Sequence, residues 1–407
     1  MIEFPKDFLW GAATSAYQVE GDNSNSDWWE WEKTKTGIVS SGKACRHYQL
    51  FREDFNLAKT LSHNSHRLSL EWARIQPEPD KFSEVEIGHY VRVIDHLRSL
   101  GIEPIVTLNH FTNPLWLSRI NGWENPKAIR YFLGYVRKMT EALADKVKYW
   151  VTINEPMVYA YYSYLSGEWP PQKKNPVLTN KVANNLADAH IRAYRSIHSF
   201  YKENKISPPM VSIAQNMIAF IPCKKNLRNN LAVYFRNSLF NFGLIDRLYG
   251  KKCLDFIGMN YYTRHLVDTR DWSLGELLGN NCSFGHDKLD KNSLGWEIYP
   301  QGIYDLLMGL KKYSLPVFIL ENGICCQEDN QRWDYIREHL KKVHAAMANG
   351  VNVIGYLYWS LLDNFEWDKG FAPRFGLCAV DYSDYKRTPR DSARKLAQVA
   401  STGLLEE

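Results

Sequence analysis

Eight short apolar runs recur along the chain, each followed by a longer stretch of amphipathic pattern. They are Leu9 to Thr14, His66 to Glu71, Glu103 to Asn109, Tyr149 to Asn154, Val211 to Asn216, Asp255 to Asn260, Val317 to Glu321 and Val353 to Trp359. Strand-length runs alternating with helical stretches are the mark of βα units and a parallel sheet. Eight such units predict an α/β chain closed into a single (β/α)₈ barrel of the TIM type.

The stretches between the runs carry helix punctuation. Asn125 is placed as an N-cap with Pro126 at the first helical position, and Thr388-Pro389 repeats that start signal. Gly101 and Gly350 stand where helical patterns stop. No linker, low-complexity tract or close repeat divides the 407 residues, so residues 1–407 are read as one domain. Asp271 to Ser293, rich in Gly, Asn and Asp, is expected to be a long loop at the top of the barrel, with a disordered insertion as the alternative.

Composition removes several function classes. Fifty Lys+Arg against 45 Asp+Glu give a formal charge of +5 with no long basic block, so a nucleic-acid partner is not expected. No run approaches membrane-spanning length and the N-terminal residues are interrupted by Glu3, Lys6 and Asp7, so neither a membrane partner nor a signal peptide is expected. Seven scattered Cys without metal-ligand spacing read as reduced thiols in a cytoplasmic protein, and adjacent Cys325 and Cys326 as free thiols rather than a redox pair. His63 and His66 lack a carboxylate to complete a metal site and receive no ligand role. The 14 Trp and 24 Tyr supply flat amphipathic surfaces of the kind on which sugar rings stack.

In a βα barrel the site forms at the C-terminal ends of the strands. Those ends carry Gln18, Arg67, Asn109, His110, Asn154, Glu155, Asn260, Tyr262, Glu321 and Trp359. Two glutamates stand out, each beside a turn: Asn154-Glu155-Pro156 after the fourth strand and Glu321-Asn322-Gly323 after the seventh. Glycoside hydrolysis uses such a pair, one carboxyl protonated to donate to the leaving oxygen and one ionised. Either glutamate alone could be a solvated strand-end carboxylate or an ion-pair partner. Arg67, Tyr262 and Asn260 offer the charge and hydrogen bonds that would keep one of them ionised.

With these residues in view, the chain from Phe4 to about Leu396 resembles glycoside hydrolase family 1, the β-glucosidase and β-galactosidase group. The landmarks follow in order: Phe8 to Gly21, Asn109-His110-Phe111, Asn154-Glu155-Pro156, Asp255 to Tyr262, Glu321-Asn322-Gly323 and Trp359 to Trp367. The resemblance implies a retaining β-glycosidase with Glu155 as acid/base and Glu321 as nucleophile, their carboxyl groups roughly 5 to 5.5 Å apart. It implies that Arg67 and Tyr262 orient the nucleophile and that Asn154 holds the sugar 2-hydroxyl. Gln18, His110, Glu366 and Trp367 match glycone-binding positions, Trp359 the platform under the ring and Trp296 an aromatic at the aglycone entrance; Asn260 and Phe375 complete the expected substrate-binding set. Trp123 and Trp169 are candidates for the rim, with packing as the other reading. Glu366 would repel a phosphorylated sugar, so the implied substrate is a small unphosphorylated β-glycoside or oligosaccharide, with β-D-glucosides placed ahead of galactosides and fucosides.

No cofactor and no metal are expected, since two carboxylates suffice. Leu320 before the nucleophile and His66 beside Arg67 depart from the family's usual Thr and aromatic. The chain is also shorter than typical members, with the loss placed between Asn216 and Asp255, which would open one wall of the pocket. A catalytically silent sugar-binding barrel, a transglycosidase using the same covalent intermediate and, more remotely, a metal-dependent barrel hydrolase are the competing readings. The sequence does not fix the oligomeric state.

Overall fold

A computed structural model describes residues 1–35, 37–270, 282 and 289–406. The eight apolar runs form eight parallel strands: β1 Leu9–Ala13, β2 Ser65–Ser69, β3 Glu103–Asn109, β4 Tyr149–Asn154, β5 Met210–Pro222, β6 Ile257–Val267, β7 Val317–Asn322 and β8 Val353–Trp359. Each pairs with the next, and β8 returns to β1 with Ala13 opposite Trp359, so the barrel is closed. Helices such as Glu84–Ser99, Lys127–Leu143, Pro176–Glu203 and Asp329–Ala348 connect the strands and pack outside them.

Most of the helix punctuation holds. Asn125 Oδ1 accepts from the Lys127 N–H at 3.0 Å at the head of Lys127–Leu143. Gly101 and Gly350 take the left-handed φ of a helix stop, at 68° and 87°. Thr388-Pro389 does not start a helix: Arg387–Pro389 is a short strand paired with Cys378–Val380, and the last helix begins at Asp391. Pairing satisfies the Thr388 backbone before any helix can claim it. The expected loop from Asp271 to Ser293 lies largely outside the described residues.

Strands β5 and β6 exceed their expected runs. They stay paired from Ala214–Gly258 up to Pro222–Val267, well past the other strand ends. Beyond β5 the chain folds into Leu227–Arg236, a wider helical segment Asn237–Phe242 and Gly243–Gly250 before returning to β6.

The lower barrel is filled by Ile105, Tyr149, Val151, Ala214, Phe256, Phe318, Leu320 and Leu357. Inward residues of one strand ordinarily alternate with outward ones. At β4 and β7 the pairing shifts register, between Val151 and Asn154 and between Ile319 and Asn322. Such a bulge re-aims side chains. Consequently Leu320 plugs the barrel while the next residue, Glu321, also reaches the interior and lines the cavity above. Gly323 lets the chain leave β7, since a Cβ there would sit 1.9 Å from the Trp359 carbonyl oxygen.

The thiol expectation needs correcting. Cys223 and Cys282 form a disulfide, with Cα atoms 5.6 Å apart. They stand 59 positions apart in sequence, so only the fold brings them together, and the seven cysteines are not all reduced thiols. Cys45, Cys253, Cys325, Cys326 and Cys378 are free and buried. No helix among the described residues is long and apolar enough to cross a membrane.

Candidate active site

A cavity of about 260 Å³ opens at the C-terminal end of the barrel, and both glutamates line it. Glu321 is buried at the end of β7. Its Oε1 is ion-paired with Nη1 of Arg67, and its Oε2 accepts from the Tyr262 hydroxyl at 2.5 Å. Arg67 is held in turn, Nε donating to Thr107 Oγ1 at 2.9 Å and Nη2 to Asn154 Oδ1 at 2.7 Å. Burial raises the Glu321 carboxyl above its ordinary pKa, while the Arg67 charge and the Tyr262 hydroxyl pull it back.

Glu155 has no such cation pair among the described residues. Its Oε1 accepts from Asn260 at 2.8 Å and Asn216 at 2.9 Å, both neutral amides. Burial, and next the negative charge of Glu321, push its pKa up to about 8. The two carboxyls are therefore held differently, Glu321 against a guanidinium and a phenol and Glu155 against neutral amides. The Glu155 backbone sits at φ 44°, ψ 57°, a left-handed conformation uncommon for a side-chain-bearing residue. It is held there by the N–H donating to Ala214 O at 2.7 Å and by Pro156 opening the helix Pro156–Ala160.

The amide orientations follow from Arg67, which can only donate. Asn154 Oδ1 must face it, so Asn154 Nδ2 points to His110 Nε2, 3.2 Å away. Burial holds His110 neutral, so an Nε2 that accepts leaves the proton on Nδ1. That Nδ1, like Asn260 Oδ1, is buried without a hydrogen-bond partner among the described residues. Buried polar atoms are rarely left so. A donor and an acceptor thus remain unspent on residues around the cavity.

Gln18 is satisfied within the protein. Ser15 Oγ donates to its Oε1 at 2.7 Å, and its Nε2 reaches Phe365 O at 2.8 Å, Asn364 Oδ1 at 3.0 Å and Glu366 Oε2 at 3.2 Å. Burial and the charges of Glu321 and Asp368 raise Glu366 to about 8. Trp359 stacks near-parallel with His110, ring centroids 5.9 Å apart, and Trp367 with Tyr17 at 5.8 Å. Tyr262, Trp296 and Phe375 form an aromatic corner with centroid distances of 5.8 to 6.3 Å.

Gln18, His110, Asn154, Glu155, Tyr262, Trp296, Glu321, Trp359, Glu366, Trp367 and Phe375 all line the one cavity. Arg67 and Asn260 stand behind it, reaching the carboxylates from below. Of the rim candidates Trp169 lines the cavity, whereas Trp123 is fully buried elsewhere, its Nε1 donating to Asn113 Oδ1 at 2.8 Å. Sequence reasoning passed over Asn216, Thr107 and the wall of Val158, Met217, Ile218 and Phe240. Asn216 was already marked as a strand end, and the strand-end filter applied to the fifth strand would have found it.

Among the described residues Cys223, Asp268 and Cys282 are the group of three potential metal ligands within 4.8 Å. Their thiols are joined in the disulfide, and none of the three lines the cavity.

The sequence profile described as Glycosyl hydrolase family 1 matches residues 1–243 and 236–403. The join falls in the helical stretch between β5 and β6, where the shortening was expected. A β-galactosidase of Pyrococcus woesei is 31% identical over 501 aligned positions, covering 99% of this chain and 98% of that protein. A solved β-glycosidase from Pyrococcus horikoshii superimposes with a TM-score of 0.91 at 37% identity, covering 100% of this chain and 96% of that one. The β-glucosidase from Thermotoga maritima in complex with deoxynojirimycin gives 0.92 at 31% identity, with full coverage of both chains.

Proposed function

The chain belongs to glycosyl hydrolase family 1 and is a β-glycosidase, and on that premise we propose that it hydrolyses unphosphorylated β-D-glycosides, β-D-glucosides first, with retention of configuration. Glu155 is the acid/base and Glu321 the nucleophile. The observation that carries this reading is the unequal treatment of the two carboxyls: a guanidinium and a phenol on Glu321, two neutral amides on Glu155.

In the first step a Glu321 oxygen attacks the anomeric carbon while Glu155 gives its proton to the glycosidic oxygen, and the bond between that oxygen and the anomeric carbon breaks. Forming the glycosyl ester removes the Glu321 charge, and with it the second-largest cause holding the Glu155 proton. Glu155 is then a competent base. In the second step it takes a proton from water as the water oxygen bonds to the anomeric carbon and the ester to Glu321 breaks. Asn154 and the unspent His110 Nδ1 serve the sugar hydroxyls, Trp359 its face, and the 2-hydroxyl contact tightens as charge develops. The preference for an unphosphorylated sugar rests on Glu366, whose carboxyl accepts from Gln18 and is ion-paired with no cation among the described residues.

The test is turnover of aryl β-D-glucoside, galactoside and fucoside, with the anomer of the first-released sugar read by NMR. Glucoside turnover releasing the β-anomer, lost by roughly 10⁴-fold or more in Glu321→Gln, is expected. Release of the α-anomer, or unchanged turnover in the variant, rejects the assignment.

A further inference from the structure

The helix Leu227–Arg236 and its continuation Asn237–Phe242 leave a row of large apolar side chains on their outer face. The buried residues of Leu227–Arg236 are Asn229 and Arg236. Asn229 Oδ1 accepts from Thr269 N–H at 3.0 Å and its hydroxyl at 2.9 Å, and Ala232 and Val233 pack on the main core. Outward stand Leu227, Leu231, Tyr234, Phe235 and Leu239, 48 to 74% exposed. Their spacing of four, three, one and four residues keeps them on one side of a helix. Single exposed apolar residues are common, but a contiguous row of five large ones marks a surface that is covered in use.

The charge around this row says by what. Exposed Lys225 and Arg228, with Lys224 whose charge also acts on Asp268, flank its start, and no Asp or Glu occurs from Val211 to Ile245. Apolar anchors bordered by cations, on a helix too short to span, are the pattern that lies in the plane of an anionic lipid surface. A partner protein or second copy would need acidic residues in register with those lysines; a lipid surface supplies anions everywhere. The expectation of no membrane partner rested on the lack of a spanning segment, which a helix lying on a surface does not need. The same stretch continues to Phe240, which lines the cavity beside Met217 and Ile218.

We propose that the outward face of residues 224–239 docks the enzyme on anionic lipid surfaces, setting the cavity mouth beside them. The full chain should float with vesicles of phosphatidylcholine and phosphatidylglycerol, weakly or not at all with phosphatidylcholine alone, and less as salt rises. Leu231→Glu with Phe235→Glu should lower vesicle partitioning by about tenfold or more, with Leu231→Ser and Phe235→Ser as a milder pair, and Lys225→Glu with Arg228→Glu should weaken it too. Turnover of a soluble aryl glycoside by each variant should match the parent, which shows the fold intact. Failure of the parent to float, equal flotation by the variants, or a dimer in sedimentation that the glutamate pair dissociates without any vesicle binding, overturns the proposal. Because flotation needs no turnover, its failure is distinguishable from failure of the catalytic assignment.

Discussion

The cavity has two walls built on different principles. On the side of β2, β4, β6 and β7, the side chains of Arg67, Asn154, Asn260, Tyr262, Glu155 and Glu321 are tied to one another by ion pairs and hydrogen bonds of 3.3 Å or less. On the side formed after β4 and by β5 and its helical continuation, Val158, Met217, Ile218 and Phe240 present hydrocarbon. A network of donors and acceptors discriminates by direction, because a misplaced hydroxyl leaves a buried partner unmet. Hydrocarbon discriminates by area alone. On the proposed function, the fixed part of a glycoside, its sugar, belongs to the first wall and the variable leaving group to the second.

Glu155→Ala breaks this division most severely. Aryl glycosides with a nitrophenolate leaving group should retain the first step, because that leaving oxygen needs no proton. Alkyl glycosides should lose about 10² to 10⁴ in kcat/KM. Steady-state and burst kinetics on the two substrate classes decide it; equal loss on both removes Glu155 from the acid role.

The polar wall also makes stability depend on pH, which the apolar one, having no titrating group among Val158, Met217, Ile218 and Phe240, does not. Glu155 is raised from 4.5 to about 8 in the folded state. Below pH 4.5 both states hold the proton. As pH rises through that window to about 8 the unfolded chain releases it first, so this group increasingly favours unfolding. Glu155→Gln, which lacks a titrating proton, should gain stability over the parent across the same window, by on the order of a few kcal/mol at its upper end. Denaturant unfolding at pH 5 and pH 8 measures the change, and a parent-variant difference independent of pH contradicts it.

A smaller effect is expected on the apolar wall. Ile218→Ser should raise KM for aryl and alkyl β-glucosides by roughly tenfold, in line with methylene-scale losses in hydrophobic pockets. The methyl glucoside, with little aglycone to bury, should be nearly unaffected. A uniform loss on all three places Ile218 against the sugar instead.

The same division explains what the sequence disclosed. The polar wall sits where strands end in turns, and turns leave marks: Asn154-Glu155-Pro156 and Glu321-Asn322-Gly323 are both polar and punctuated. The barrel was legible for a similar reason, since strand and helix periods differ. Thr107 was not, because it lies within β3 and acts only through Arg67. The Cys223–Cys282 pair depends on tertiary approach, which no spacing rule encodes. The apolar wall stayed hidden because β5 does not stop at its expected end; it runs on through Met217 and Ile218 to Pro222, and apolar residues in a strand read as core.

Asn216 stands on the seam between the two walls, the last polar side chain of β5 before the Met217 and Ile218 hydrocarbon, and it donates to Glu155 Oε1 at 2.9 Å. That bond favours the charged carboxylate and so restrains the rise in the Glu155 pKa caused by burial and Glu321. Asn216→Ala should therefore move the basic limb of the kcat/KM profile to higher pH, by a few tenths to about one unit. The acidic limb, set by protonation of Glu321, should stay where it is, because Asn216 makes no contact with Glu321 in the hydrogen-bond network of the described residues. If both limbs move together, Asn216 acts by shifting the whole strand end rather than through one hydrogen bond. If only the basic limb moves, but towards lower pH, the proton that limb reports is not the one on Glu155.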